Sequence, residues 1–131
     1  MRIAEVESRK PGEWVYHASH VSTDQATLFR SLLRGGLKPS KTGYSGPGVY
    51  FAYSPDEGYY HVSPEDSVIL RVKWADLVNL YGTYPNNSNG IQRSEDEIIV
   101  PATVPANLIE VQYFPDEWWT LRDALAAETG H

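Results

Sequence analysis

Residues 43–60 read G-Y-S-G-P-G-V-Y-F-A-Y-S-P-D-E-G-Y-Y and pass from turn to strand to helix in a few steps. Gly46-Pro47-Gly48 has the residue types of a tight turn. Val49-Tyr50-Phe51 has the β-branched and aromatic character of a short buried strand. Ser54-Pro55-Asp56-Glu57 predicts a helix start, with a capping serine, proline at the first helical position and an acid three residues after the cap. Five aromatic residues, Tyr50, Phe51, Tyr53, Tyr59 and Tyr60, fall within eleven positions. Two of them can face each other across a flat ligand.

Upstream, residues 13–19 predict a strand entered from Pro11-Gly12. Ser22 and Gln25 have the spacing of a capping box, and Leu28, Phe29, Leu32 and Leu33 recur at helical intervals until Gly35-Gly36 stops the helix. Leu37-Lys38-Pro39 then leads back in extended form. Downstream, residues 68–74 predict a strand whose core face is Val68, Leu70, Val72 and Trp74. Residues 81–94 form a polar loop rich in turn residues, of a length that is usually functional or mobile. Residues 97–100 and 108–114 predict two further strands. Pro115-Asp116-Glu117 opens a terminal helix with a face of Trp118, Trp119, Leu121, Leu125 and Ala126. Strands and helices do not alternate regularly, which points to an α+β fold with a mainly antiparallel core.

The chain of 131 residues is the length of one domain, residues 14–114 carrying its core and residues 115–131 a helix and tail. A hydrophobic share of 41% with 21% charged residues excludes a disordered chain. No cysteine is present, so disulfides and thiolate zinc sites are excluded. The N-terminal residues lack the apolar run of a signal peptide and no stretch reaches membrane-spanning length, so the expectation is a cytoplasmic protein without a membrane partner. The net charge of −6 is uneven: residues 1–41 hold seven Lys/Arg against four Asp/Glu, residues 42–131 four against thirteen. The acidic distal part argues against a duplex-DNA binder, while the basic first third suits a small anionic ligand.

Three polar residues stand out from their surroundings. His17 ends a strand, Tyr50 follows the Gly-Pro-Gly turn, and Glu97 opens an apolar strand while closing the triplet Glu95-Asp96-Glu97. Taken singly, each has a plain structural explanation: a hydrogen-bonded strand-end histidine, a core tyrosine, a gatekeeping charge. Taken in order they form a pattern. Tyr16-His17-Ala18-Ser19, then Gly46-Pro47-Gly48-Val49-Tyr50-Phe51-Ala52, then Glu97-Ile98-Ile99-Val100 ahead of residues 104–109, resembles the ADP-ribosyltransferase superfamily. The closer likeness is to its His-Tyr-Glu branch, which contains diphtheria toxin and the poly(ADP-ribose) polymerases. Gly35-Gly36-Leu37-Lys38-Pro39 also fits the approach to the second motif. The resemblance covers roughly residues 14–114.

The resemblance implies a split β-sandwich of two small, mainly antiparallel sheets with flanking helices, holding NAD as co-substrate and no metal. His17 would bond the adenosine ribose. Ala18 stands where the family has glycine, whose backbone N–H and C=O grip the nicotinamide carboxamide, and Ser19 matches the family's Ser/Thr. Tyr50 would stack on nicotinamide, with Tyr59 or Tyr60 as the second stacking residue and His61 at the spacing of the polymerases. The family's carboxamide-binding serine falls near Gly58, leaving Ser54 as a substitute. Glu97 would be the catalytic carboxylate. Breaking the nicotinamide–ribose bond develops an oxocarbenium ion, and a carboxylate on the ribose 2′-hydroxyl stabilises it. Arg30, Arg34, Lys38 and Lys41 are the cations at hand for the diphosphate.

Glu95 completes the Glu-x-Glu pattern of arginine-modifying members, and the loop ahead of it, with Tyr84, occupies the place of an acceptor-recognition loop. The expected activity is mono-ADP-ribosylation of a protein side chain, arginine among the candidates, in the manner of toxin, effector or phage-encoded modifiers. The alternatives are an NAD glycohydrolase of the same fold, transfer to nucleic acid, and a non-catalytic NAD or ADP-ribose binder. A tRNA 2′-phosphotransferase is disfavoured because Glu97 stands where that signature needs histidine. A partner-binding domain using Trp118 and Trp119 is the remaining reading.

Overall fold

A computed structural model describes residues 10–40, 47–58, 66–113 and 117–130. The strands are β1 (Trp14–His20), β2 (Val49–Phe51), β3 (Ser67–Lys73), β4 (Gln92–Arg93), β5 (Ile98–Val100), β6 (Glu110–Gln112) and β7 (Trp118–Thr120). The helices are α1 (Gln25–Gly35), α2 (Pro55–Gly58), α3 (Trp74–Tyr81) and α4 (Leu121–Glu128), with a 3-10 turn at Ala106–Leu108. The strands form a four-stranded sheet in the order β1-β3-β6-β7 and a three-stranded sheet in the order β2-β5-β4. Every pairing within them is antiparallel. The α+β class is therefore as expected from the pattern of elements.

Alternation fixes which side chains are buried. On β1 and β3 the register sets Val15 opposite Val72 and His17 opposite Leu70, so these residues share the inner face. Tyr16 lies opposite Arg71 on the outer face. The small sheet turns Val49, Phe51, Ile98 and Val100 inward. Both inner faces feed one apolar cluster, completed by Phe29 and Leu32 of α1, Leu77 of α3, and Leu121 and Ala124 of α4. Removing a side chain such as Leu70 from this cluster costs about 2–5 kcal/mol, through lost transfer energy and the cavity left behind.

Several boundaries differ from the sequence expectation, each for a local reason. Helix α1 is capped by Asp24, whose carboxylate accepts the Thr27 N–H at 2.7 Å, and not by Ser22. Strand β3 ends at Lys73, and Trp74 begins α3. That helix starts without a side-chain cap, so nothing in the sequence announces it. Trp118 and Trp119 belong to β7, which pairs with β6 by setting Val111 opposite Trp119. The terminal helix begins only after Thr120, whose hydroxyl accepts the Asp123 N–H at 3.1 Å. The strand expected over 108–114 is shorter, because the 3-10 turn holds Leu108.

The loop over 81–94 is fastened at its base. Gly82 C=O accepts the Ile91 N–H at 2.9 Å, and the Asn87 side chain donates to Tyr81 C=O at 2.8 Å. Ile91 is buried beneath it, while Tyr84 stands 57% exposed. Among the described residues no helix is long and apolar enough to cross a membrane.

Candidate functional site

Among the described residues one pair of backbone hydrogen bonds joins the two sheets. Tyr16 of β1 and Ala52, just past β2, exchange backbone hydrogen bonds of 3.0 and 2.6 Å. Continued by one step, that antiparallel register would pair Ala18 with Tyr50. The strands part instead, and the Tyr50 carbonyl is taken by Nδ1 of His17 at 2.7 Å. A side chain thus replaces the next rung of the ladder where the two strands part.

Parity then decides what faces the parted edge of β1. The N–H and C=O of Tyr16 point away from β3 toward Ala52, so those of Ala18, two residues on, point the same way. They face the opening where β2 has turned off. The helix that follows, α2, lies against β1 on this side. Its start is capped as expected: the Ser54 hydroxyl donates to the Glu57 carboxylate at 2.8 Å and accepts the Glu57 N–H at 3.4 Å. The Ser54 proton is committed to that cap, which leaves Ser54 a poor substitute for a ligand-binding serine.

The chemistry of His17 follows from its partner. A carbonyl only accepts, so Nδ1 carries the proton, and in the neutral ring Nε2 is an acceptor. Burial holds the His17 pKa below its ordinary value of 6.5, with the hydrogen bond to Tyr50 working in the opposite direction. The ring is therefore neutral at pH 7, in a fixed tautomer, and packs edge-on against Phe51 with centroids 5.8 Å apart. An acceptor nitrogen held in this way suits a ligand hydroxyl.

Tyr50 and Glu97 share one face of the small sheet. Tyr50 lies opposite Ile99 and Phe51 opposite Ile98, where the pairing ends. Tyr50 and Ile99 alternate with the inward Phe51 and Ile98, and continuing that register by one position would make Tyr50 and Glu97 diagonal neighbours. Glu95 sits at the tip of the tight turn joining β4 to β5, where Ser94 N–H donates to Glu97 C=O at 2.8 Å. Ser19 shares the inner face of β1 with His17.

His17, Ala18, Tyr50 and Glu97 are thus drawn to one junction, with Glu95 on the turn beside it. Tyr59, Tyr60, His61 and Lys41 lie outside the described residues. Arg30 and Arg34 are carried on α1. Two bonds of this region escaped the sequence reading: that from the hydroxyl of Tyr53, one of the five clustered aromatics, to Ser94 C=O at 2.6 Å, and that from the Glu97 N–H to the Ser94 hydroxyl at 3.1 Å. The S-x-x-E spacing of Ser94 and Glu97 is the signal that marks the second. No signal in the sequence marks the first. Among the described residues no group of His, Asp and Glu is arranged to hold a metal ion.

Comparison of the chain with protein-family models, with curated proteins and with solved structures found no match.

Proposed function

We propose that this protein is an NAD-dependent mono-ADP-ribosyltransferase built on a split β-sandwich of the His-Tyr-Glu type. The observation that carries the reading is the parting of β1 from β2 at the Tyr16–Ala52 bridge. It leaves the His17 ring bonded to the Tyr50 carbonyl at the edge of the small sheet that also carries Glu97, and this supports a site at that edge.

In this reading the carboxamide of nicotinamide bonds the Ala18 N–H and C=O, and the ring stacks on Tyr50. Nε2 of His17 accepts a hydroxyl of the adenosine ribose, holding NAD in a bent form. Glu97 accepts the 2′-hydroxyl of the nicotinamide ribose. As the C–N bond breaks, the bonding pair leaves with nicotinamide and positive charge grows on the ribose, where the carboxylate stabilises it. The acceptor then attacks the anomeric carbon and loses a proton. Glu95, at the turn tip, is placed to orient a cationic acceptor side chain, and the exposed Tyr84 is a contact for the acceptor protein.

Incubation with labelled NAD and cell lysate, followed by protease or nuclease treatment and mass spectrometry, tests the assignment. Label on a protein side chain, lost with Glu97→Gln, is the expected result. Nicotinamide release with no labelled macromolecule makes the protein a glycohydrolase, and label on nucleic acid moves the acceptor to that class.

A further inference from the structure

We propose that Tyr53 is a positioning residue for Glu97, fastening the turn that carries the carboxylate to the segment leaving β2. The proposal rests on the reading of the cleft given above.

The turn from Ser94 to Glu97 joins two very short strands, β4 (Gln92–Arg93) and β5 (Ile98–Val100), so pairing alone holds it weakly. Its internal bonds are unusual for a tight hairpin turn. Ser94 N–H donates to Glu97 C=O at 2.8 Å, but the Glu97 N–H is directed to the Ser94 hydroxyl at 3.1 Å. The Asp96 N–H is directed to the same hydroxyl at 3.3 Å. The Ser94 carbonyl accepts the hydroxyl of Tyr53, 41 positions earlier in the chain, at 2.6 Å.

Tyr53 directly follows Ala52, whose backbone is bonded to Tyr16 of β1. One line of hydrogen bonds, joined by the peptide link from Ala52 to Tyr53, therefore runs from β1 to Ser94 and the Glu97 backbone. In the proposal this line sets the Glu97 backbone, and with it the carboxylate, relative to β1. The Tyr53 ring packs against the apolar cluster, so phenylalanine keeps the packing and removes only the hydroxyl.

The test compares wild type, Tyr53→Phe, Ser94→Ala and the double variant for nicotinamide release, melting temperature and amide hydrogen exchange. Tyr53→Phe is expected to lower kcat ten- to about a hundred-fold, the scale on which a small displacement of a reacting group acts, with KM for NAD unchanged and Tm lowered by only a few degrees (roughly 3–5 °C). Exchange at Asp96 and Glu97 quickens by about ten-fold, as one hydrogen bond of about 1.4 kcal/mol is lost. Ser94→Ala acts on the same turn, so the double variant loses little more than the worse single one. Wild-type kcat with unchanged exchange in Tyr53→Phe overturns the proposal and leaves the cleft reading intact. A fall in Tm with raised KM and no local change in exchange also overturns it, making Tyr53 merely structural. If wild type itself releases no nicotinamide, the cleft reading fails, and exchange at Asp96 and Glu97 alone decides whether Tyr53 holds the turn.

Discussion

The junction at His17 and the outer face at Arg71 lie on the same pair of strands and treat their polar groups in opposite ways. Arg71, on β3, is held between two rings and a carboxylate and is 18% exposed. Its guanidinium carbon sits 3.7 Å from the Trp14 ring centroid and 4.4 Å from that of Trp118, and both Nε and an Nη donate to one Glu110 oxygen at 2.8 and 2.7 Å. A cation held by two indoles and a carboxylate is a structural clamp across β1, β3, β6 and β7. At the junction the His17 ring is engaged through one nitrogen. His17 uses Nδ1 and leaves Nε2 as an acceptor, and Ala18 turns its backbone groups toward an opening. Groups satisfied within the fold stabilise it, whereas groups fixed on one side only are prepared for a ligand.

Substitutions at the two places should separate along that line. The largest effect is expected for Glu97→Gln, which removes the charge facing the developing cation. Turnover falls at least about a hundred-fold, as for loss of a preorganised electrostatic contact, while thermal unfolding is unchanged. A fall in Tm together with turnover would erase the distinction between the two regions. Arg71→Met comes next, with the opposite signature. Losing the charge-assisted bonds and ring contacts costs about 2 kcal/mol in denaturant unfolding, with NAD affinity retained. The Glu110 side chain, 33% exposed, recovers water and limits the loss.

His17→Phe keeps the edge-on packing on Phe51 and removes the acceptor; NAD binding by calorimetry should weaken about ten-fold. The smallest effect is that of pH. His17 titrates below 6.5, and its lone pair on Nε2 exists only in the neutral ring. NAD affinity should therefore be level from pH 8 down to 6.5 and decline only at lower pH. Folding carries the same sign: the unfolded chain takes up this proton near 6.5 while the folded ring resists it. The stability from this group is present above that value and is lost as pH falls toward the lower folded pKa. Affinity that rises on acidification would contradict the assigned tautomer.

Much of the arrangement is legible in the residues. The aromatic strand over 14–20, the short strand from Val49 and the capped start at Ser54 all appear where the pattern puts them. Gly48 shows why glycine is needed at that turn: a Cβ there would lie 2.6 Å from Cγ2 of Ile99. What was not legible depends on tertiary contact. Trp118 and Trp119 read as a helical face, but aromatic residues also suit a strand, and only pairing with β6 decides between them. The α3 start lacks a cap residue, and Trp74 continues the two-residue period of β3, so the helix was concealed. The Tyr53–Ser94 bond joins residues 41 positions apart and has no local signature. His17 and Tyr50 stood out by order and chemistry, but the splayed register that bonds the one to the other's carbonyl is a property of two sheets meeting.

The most direct measurement is nicotinamide release from purified protein and NAD, followed by chromatography beside Glu97→Gln, with NAD binding to both proteins measured by thermal shift. Steady release by wild type, with none above background from a variant that still binds NAD, is the predicted result. Equal release by both proteins, or no binding and no release by either, would contradict the assignment of the sheet junction as an NAD-cleaving site.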